Sequence, residues 1–171
     1  MKLLTLVMFL STLLVITVAI SLDSVYAQEN AIDSDEPKFF AIQHAQSGSI
    51  SKINETAYSL VLSYISDKTI LFSDRPDRIV MSISTSDFIG NWSVGQDSFA
   101  VDPPNAVLVV DEQEGRQQDD VIVELFNPVY DSNKKTLKYE AIPDNATSIE
   151  LPSEFGQNTM LIDCEGGRCN T

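Results

Sequence analysis

The densest chemistry in the chain sits at residues 72–78, F-S-D-R-P-D-R, where Asp74, Arg75, Asp77 and Arg78 surround one proline. Two kinds of chemistry fit. An arginine presents a planar fork that grips a carboxylate through two parallel bonds. Two Asp–Arg pairs across a stiff proline corner can therefore pin a strand end against a neighbouring loop. Alternatively, Arg75 or Arg78 binds an anionic group while Asp74 and Asp77 hold a cation or a proton. The expectation is the first reading, an ion-paired and partly buried corner, for which Arg75→Ala costs several kcal/mol because it strands a buried charge. A second cluster is D-P-P-N at 102–105. Asp102 and Asn105 offer oxygen atoms, but such residues cap turns far more often than they bind Ca²⁺. A Ca²⁺ site shared by Asp74, Asp77, Asp102 and acids of the loop 111–120 is the one weak cofactor candidate. No other cofactor is implied.

The remaining chemistry is sparse. The sequence has no G-x-S-x-G elbow, P-loop, H-E-x-x-H or EF-hand loop. Its single histidine, His44, lies in a strand-like stretch beside Phe39, Phe40 and Ile42, where a structural or exposed role is the usual one. The formal net charge of −14 argues against nucleic acid or anionic lipid as a partner. The two cysteines, Cys164 and Cys169, lie in C-E-G-G-R-C. That spacing fits neither a C-x-x-C redox motif nor a four-ligand zinc site. The expected pairing is a disulfide that ties down the tail, with an exposed, reducible ring as the alternative.

The elements that must position these groups follow a leader. Residues 1–27 have the layout of a secretory signal peptide: Met1-Lys2, an apolar run from Leu3 to Leu22, and V-Y-A before Gln28. The run is also near the length of a membrane-spanning helix, so anchoring by residues 3–22 is the alternative to secretion. Residues 28–38 read as a flexible acidic spacer, and 39–171 as one domain. Sequons at Asn54 and Asn145 are candidate glycosylation sites. A third, at Asn91, is weaker because Trp92 is expected to face a core.

Periodicity is mostly two. Strands are expected at 38–46, 58–65, 69–73, 79–83, 106–110, 121–126, 136–142, 148–151 and 159–162. Tyr58, Leu60, Leu62 and Tyr64 should share a face, and 58–65 should turn at Ser66-Asp67-Lys68 to pair with 69–73 as a hairpin. Pro128 should stop the strand that starts at Val121. Ser84-Thr85-Ser86-Asp87 supplies helix caps, and Phe88 and Trp92 follow at helical spacing. One short helix is therefore expected near residues 85–93. The whole is an all-β chain, read as an antiparallel β-sandwich of eight or nine short strands, with a partly open β-barrel as the alternative.

Y-S-L-V-L-S-Y-I-S-D-K-T-I-L-F-S-D-R-P-D-R, then D-F-I-G-N-W, D-P-P-N-A and N-P-V resemble a family of uncharacterised exported bacterial and archaeal proteins over about residues 56–142. The resemblance implies export and the strand order around those strings. It brings no catalytic residue, because no activity is established for the family. The expected function is a non-enzymatic secreted or cell-surface binding or structural module, whose partner is unknown. The alternatives are a hydrolase-like enzyme built on Asp74, Arg75, Asp77 and Arg78 with His44 or Asp102, and a Ca²⁺-stabilised surface module.

Overall fold

The computed structural model describes residues 37–111, 120–144, 153–164 and 169. Residues 1–36, Asn145, the expected strand 148–151 and most of the acidic loop lie outside them. Among the described residues nine strands form: β1 (Phe39–Lys52), β2 (Tyr58–Ile65), β3 (Lys68–Ser73), β4 (Val80–Ser84), β5 (Asn105–Val110), β6 (Asp120–Asp131), β7 (Thr136–Pro143), β8 (Glu154–Phe155) and β9 (Asn158–Cys164). One helix, α1 (Thr85–Gly90), follows β4 directly. All pairings are antiparallel. The all-β expectation with one short helix is borne out, and the strands close into a barrel. The sheet runs β2-β7-β6-β5-β9-β1 and returns to β2 through a β1–β2 pairing, while β3 and β4 extend it beyond β1.

Closure needs a taper inside. Along β1 the inward positions include Ala41, Ala45 and Gly48, set against Leu60, Leu62, Leu108, Leu125, Leu137, Tyr139, Met160 and Ile162 from the other strands. Small residues on one strand opposite large ones on the rest let six strands meet around a filled interior. Gly48 is required by contact. It pairs with Phe155, and a Cβ there would collide with the edge of the Phe155 ring.

The expected hairpin between 58–65 and 69–73 does not form. Both segments run along the same edge of β1: Ala45 pairs with Ile65 and Ile42 with Ile70. They are one strand interrupted at Ser66-Asp67, where the register slips. The polar S-D-K string reads as a turn, yet its backbone groups are satisfied while the chain keeps its direction. Ser66 N–H donates to His44 C=O at 2.9 Å, and Thr85 N–H donates to Asp67 C=O at 2.9 Å. Just before the slip, Tyr64 takes φ +54°, and the inward parity changes with it. Leu60, Leu62 and Ile65 are buried, whereas Tyr64 is 64% exposed, so the expected Tyr58-to-Tyr64 face breaks at its last member.

Pro128 does not end its strand either. β6 continues to Asp131, and the register with β7 shifts between Phe126 and Val129. Asn127, at φ +48°, and Pro128 form a β-bulge, a position that asks no ladder N–H of a proline.

A buried hydrogen-bond chain joins the barrel interior to the helix. Tyr139 Oη–H donates to Gln43 Oε1 at 2.9 Å. Gln43 Nε2–H donates to Thr69 Oγ1 at 3.4 Å, and the Thr69 and Thr85 hydroxyls meet at 3.1 Å. Thr85 Oγ1–H donates to Ser66 C=O at 2.8 Å. That last bond uses the only proton on Thr85, so Thr69 must be the donor to Thr85 and every bond runs the same way. Tyr139, Gln43, Thr69 and Thr85 are almost wholly buried, and burial pushes the Tyr139 phenol far above the ordinary tyrosine range.

The Cys164–Cys169 disulfide forms as expected. Both residues are buried against the core, which overturns the exposed-ring alternative.

Thr85→Val and Tyr139→Phe each leave buried polar groups without a partner. Each should cost about 1–3 kcal/mol in denaturant unfolding. Because one chain of bonds links the two positions, the double variant should lose less than the sum; strict additivity would show that they act independently. Gly48→Ala should lose roughly 1–3 kcal/mol through overpacking on Phe155 and regain part of it with Phe155→Leu.

Candidate functional site

The F-S-D-R-P-D-R string forms the loop between β3 and β4. Buried Ser73 closes it twice: its N–H donates to Ile79 C=O at 2.9 Å, and its Oγ accepts from Ile79 N–H at 2.8 Å. Arg78 N–H donates to Asp74 C=O at 3.2 Å, and Asp74 Oδ1 accepts from Arg75 N–H at 2.6 Å. The Arg75–Pro76 bond is cis, and Arg78 has φ +52°. The backbone turns tightly, and Asp74, Arg75, Asp77 and Arg78 are all exposed. No ion pair joins them. The ion pairs among the described residues are Asp131–Lys134 and Asp67–Lys135. The ion-paired, partly buried corner is therefore corrected: one side-chain-to-backbone bond and the Ser73 clasp hold the loop, and the charges point to water.

Asp102 and Asn105 are also exposed and precede or open β5. The sheet order places β9 and β1 between β5 and β3. At the spacing of adjacent strands, three steps amount to roughly 14 Å, so Asn105 and the 74–78 loop do not converge. His44 faces outward from β1, with Nδ1 3.4 Å from Thr159 Oγ1. Asn54 is exposed and uses its side chain locally, with Oδ1 accepting from Thr56 N–H, Thr56 Oγ1–H and Ala57 N–H. Among the described residues, no group of three His, Cys, Asp or Glu side chains stands close enough to hold a metal ion.

What the fold does assemble is an aromatic pocket that sequence reasoning missed. After α1 the chain turns back so that Phe88, Trp92 and Phe99 pack together, with Trp92–Phe99 centroids 4.9 Å apart and Phe88–Trp92 6.2 Å apart. Trp92 also lies 5.6 Å from the Tyr139 ring, so the cluster is continuous with the barrel core. Beside it, the β6 bulge displaces Phe126–Val129. Between the two lies a cavity of about 360 Å³, lined by Ile89, Trp92, Ser93, Phe99 and Ala100 on one wall and by Phe126, Asn127, Pro128 and Val129 on the other. Asn127 is held at the rim by donating to Glu140 Oε2 at 3.0 Å. The Phe88/Trp92 spacing and the Asn-Pro pair were visible in the sequence, but nothing in it places them against each other.

Comparison with protein-family models, curated proteins and solved structures gives no match to this chain. The pocket therefore stands on its own chemistry. Its walls combine rings and aliphatic groups with a hydroxyl, an amide and backbone, and the lining surface divides about evenly between polar and apolar atoms. That set suits an apolar or aromatic group with hydrogen-bonding capacity at one edge.

A second polar constellation clasps the outside of the β2–β3 slip. Lys135 Nζ lies 2.8 Å from Asp67 Oδ2, and Tyr130 Oη–H donates to Asp67 Oδ1 at 3.4 Å. The Lys135 hydrogen bond and charge hold the Asp67 carboxyl below its usual range, and Asp67 in turn raises Lys135. The Asp67–Lys135 pair is solvent-exposed and Tyr130 half-buried, so the clasp orients the corner more than it stabilises it.

Two outcomes follow. Arg75→Ala should change unfolding free energy by no more than about 0.5 kcal/mol, as at an unpaired surface site; a loss of several kcal/mol would restore the buried-corner reading. The Asp67 carboxyl, followed by NMR, should titrate below the ordinary aspartate range and move back up in Lys135→Met. A lowered carboxyl contributes stability above its unfolded pKa and loses it as pH falls through the folded one, and the raised Lys135 loses its share as pH rises through the folded lysine pKa, so any contribution of this clasp disappears at both the acid and the alkaline end.

Proposed function

We propose that this chain is an exported, non-enzymatic β-barrel module that binds a small apolar or aromatic group, free or on a partner, in the pocket between α1 and the β6 bulge. The observation that carries this reading is the pocket itself: Trp92 and Phe99, largely buried, form its floor, with Phe126, Pro128 and Val129 opposite. A concave site that brings aromatic rings and polar atoms together is a common form of binding site. Val129 is 63% exposed at its mouth, so a ligand would cover an apolar side chain that otherwise faces water.

Export is supported by the leader-like residues 1–27 and by the disulfide, which forms and persists in oxidising compartments. Among the described residues, no helix is long and apolar enough to cross a membrane. The resemblance of residues 56–142 to exported bacterial and archaeal proteins agrees with the same placement. The separation of the charged loop from Asn105 across β9 and β1 weighs against the hydrolase-like alternative.

Trp92 is the only tryptophan in the chain, so its fluorescence reports on this pocket alone. Titration with the uncharged probe N-phenyl-1-naphthylamine should quench it saturably at one equivalent. Val129→Glu, placed at the exposed mouth, should weaken binding at least tenfold, about 1.4 kcal/mol, without shifting thermal unfolding. Quenching that is non-saturable, or equal in wild type and Val129→Glu, would sink the reading.

A further inference from the structure

Among the described residues, β4 is the last strand of the sheet and pairs only with β3. Its backbone polarity can be assigned. Ser73 N–H donates to Ile79 C=O at one end of the β3–β4 ladder, and Thr85 N–H donates to Asp67 C=O at the other. Alternation then turns Ile79, Met81, Ile83 and Thr85 toward β3, and leaves the N–H and C=O of Val80 and Ser82 and the N–H of Ser84 facing away. None of these outward groups has a partner among the described residues. Natural edge strands are guarded by charges, by proline or by covering segments. The strand Val80–Ser84 reads V-M-S-I-S, with neither a charge nor a proline. Val80 is 73% exposed, and Met81 is also exposed.

We propose that β4 is a self-association edge, through which two copies of this chain pair antiparallel about a two-fold axis at Ser82. In that register Ser82 meets Ser82 of the second copy, and Val80 meets its Ser84. Met81 meets its Ile83 on the opposite face, covering an exposed apolar side chain with a half-buried one. Except for the Val80 N–H, which stays at each rim, the outward groups match in donors and acceptors. Ser82 exchanges both backbone bonds with its mate, and each Ser84 N–H reaches the opposing Val80 C=O. The charges next to the strand match as well. Arg78 lies two residues before β4 and Asp87 three residues after it, so antiparallel pairing brings each Arg78 to the end of the edge that carries Asp87 of the second copy. Arg78 and Asp87 are exposed and unpaired among the described residues. The two-fold axis therefore gives each Arg78 an acid of the other copy, and no charge on β4 faces a like charge in a chain of net charge −14.

A second copy fits this edge better than an arbitrary extended peptide, because V-M-S-I-S is complementary to itself in size and hydrogen bonding and its flanking charges are opposite at the two ends. One five-residue strand covers less area than the roughly 1,200 Å² of a standard stable interface, so the association is weak and shows at high concentration.

Sedimentation of the mature chain from micromolar to millimolar concentration tests it, together with mild oxidation of Ser82→Cys. Opposed residues of a bonded antiparallel pair lie about 5.5 Å apart at Cα, within the range a disulfide spans. The expected result is a concentration-dependent dimer and a Ser82→Cys cross-link formed in clear excess over Ser51→Cys, an exposed control on β1. Arg78→Asp or Asp87→Arg alone should raise the dimer dissociation constant roughly tenfold, and the two together should restore it. A chain that remains monomeric at millimolar concentration, or a Ser82→Cys cross-link no more abundant than the control, overturns the proposal and leaves the edge to a different strand.

Discussion

Ser66 and Asp67 sit where one strand must serve both the closed barrel and the extension of its sheet. Up to Ile65 the strand closes the barrel against β7, and from Lys68 it leaves β7 and pairs instead with β4. A break of this kind exposes backbone groups that cannot stay unpaired in a protein interior. Thr85 meets them: its N–H bonds Asp67 C=O, and its hydroxyl bonds Ser66 C=O. Since Thr85 is also the first residue of α1, the bonds that repair the break also fix where the helix begins. Everything beyond follows from that anchor, including the direction of α1, the Phe88–Trp92–Phe99 cluster and the wall of the pocket.

The anchor is tied to the core through Thr69, Gln43 and Tyr139. A buried glutamine and a buried tyrosine hydroxyl would destabilise the barrel if left unpaired, but each has a partner and each donates onward. Tyr139 also touches Trp92. One residue thus contacts the polar chain on one side and the aromatic cluster on the other, and the pocket floor inherits the rigidity of the barrel. The opposite wall comes from an irregularity of another kind, the β6 bulge, which stands at the same level of β7. Phe126 pairs with Glu140 and Val129 with Lys138, leaving Asn127 and Pro128 to share the position opposite Tyr139.

The charged loop at 74–78 takes a different place from the one its composition suggests. Four charged residues around a proline can be a salt-bridged corner only if the side chains fold back on one another. Here Ser73 closes the loop through its backbone and hydroxyl, so the charges are not needed for closure and extend into water. Their value lies at the edge of the sheet, where β4 begins uncharged and Arg78 and Asp87 stand at its two ends.

Local pattern determined a good deal by itself. Period-two alternation located most of the strands because a strand with one buried face must alternate. The S-T-S-D run located the helix start, with Ser84 accepting from Asp87 N–H as its cap, since capping depends on neighbours within one turn. The cysteine spacing pointed to the disulfide for the same local reason. What escaped were features set by residues distant in sequence. Ser66-Asp67 reads as a turn until the partner strand is known, and only β1 running alongside shows that the chain continues straight. Pro128 reads as a strand end until a bulge against β7 excuses its missing N–H. The charged loop reads as an ion-paired site until burial is known, and burial belongs to the assembled sheet. Closure of the barrel itself depends on Ala41, Ala45 and Gly48 meeting large side chains from other strands, a match of volumes that exists only once those strands are side by side.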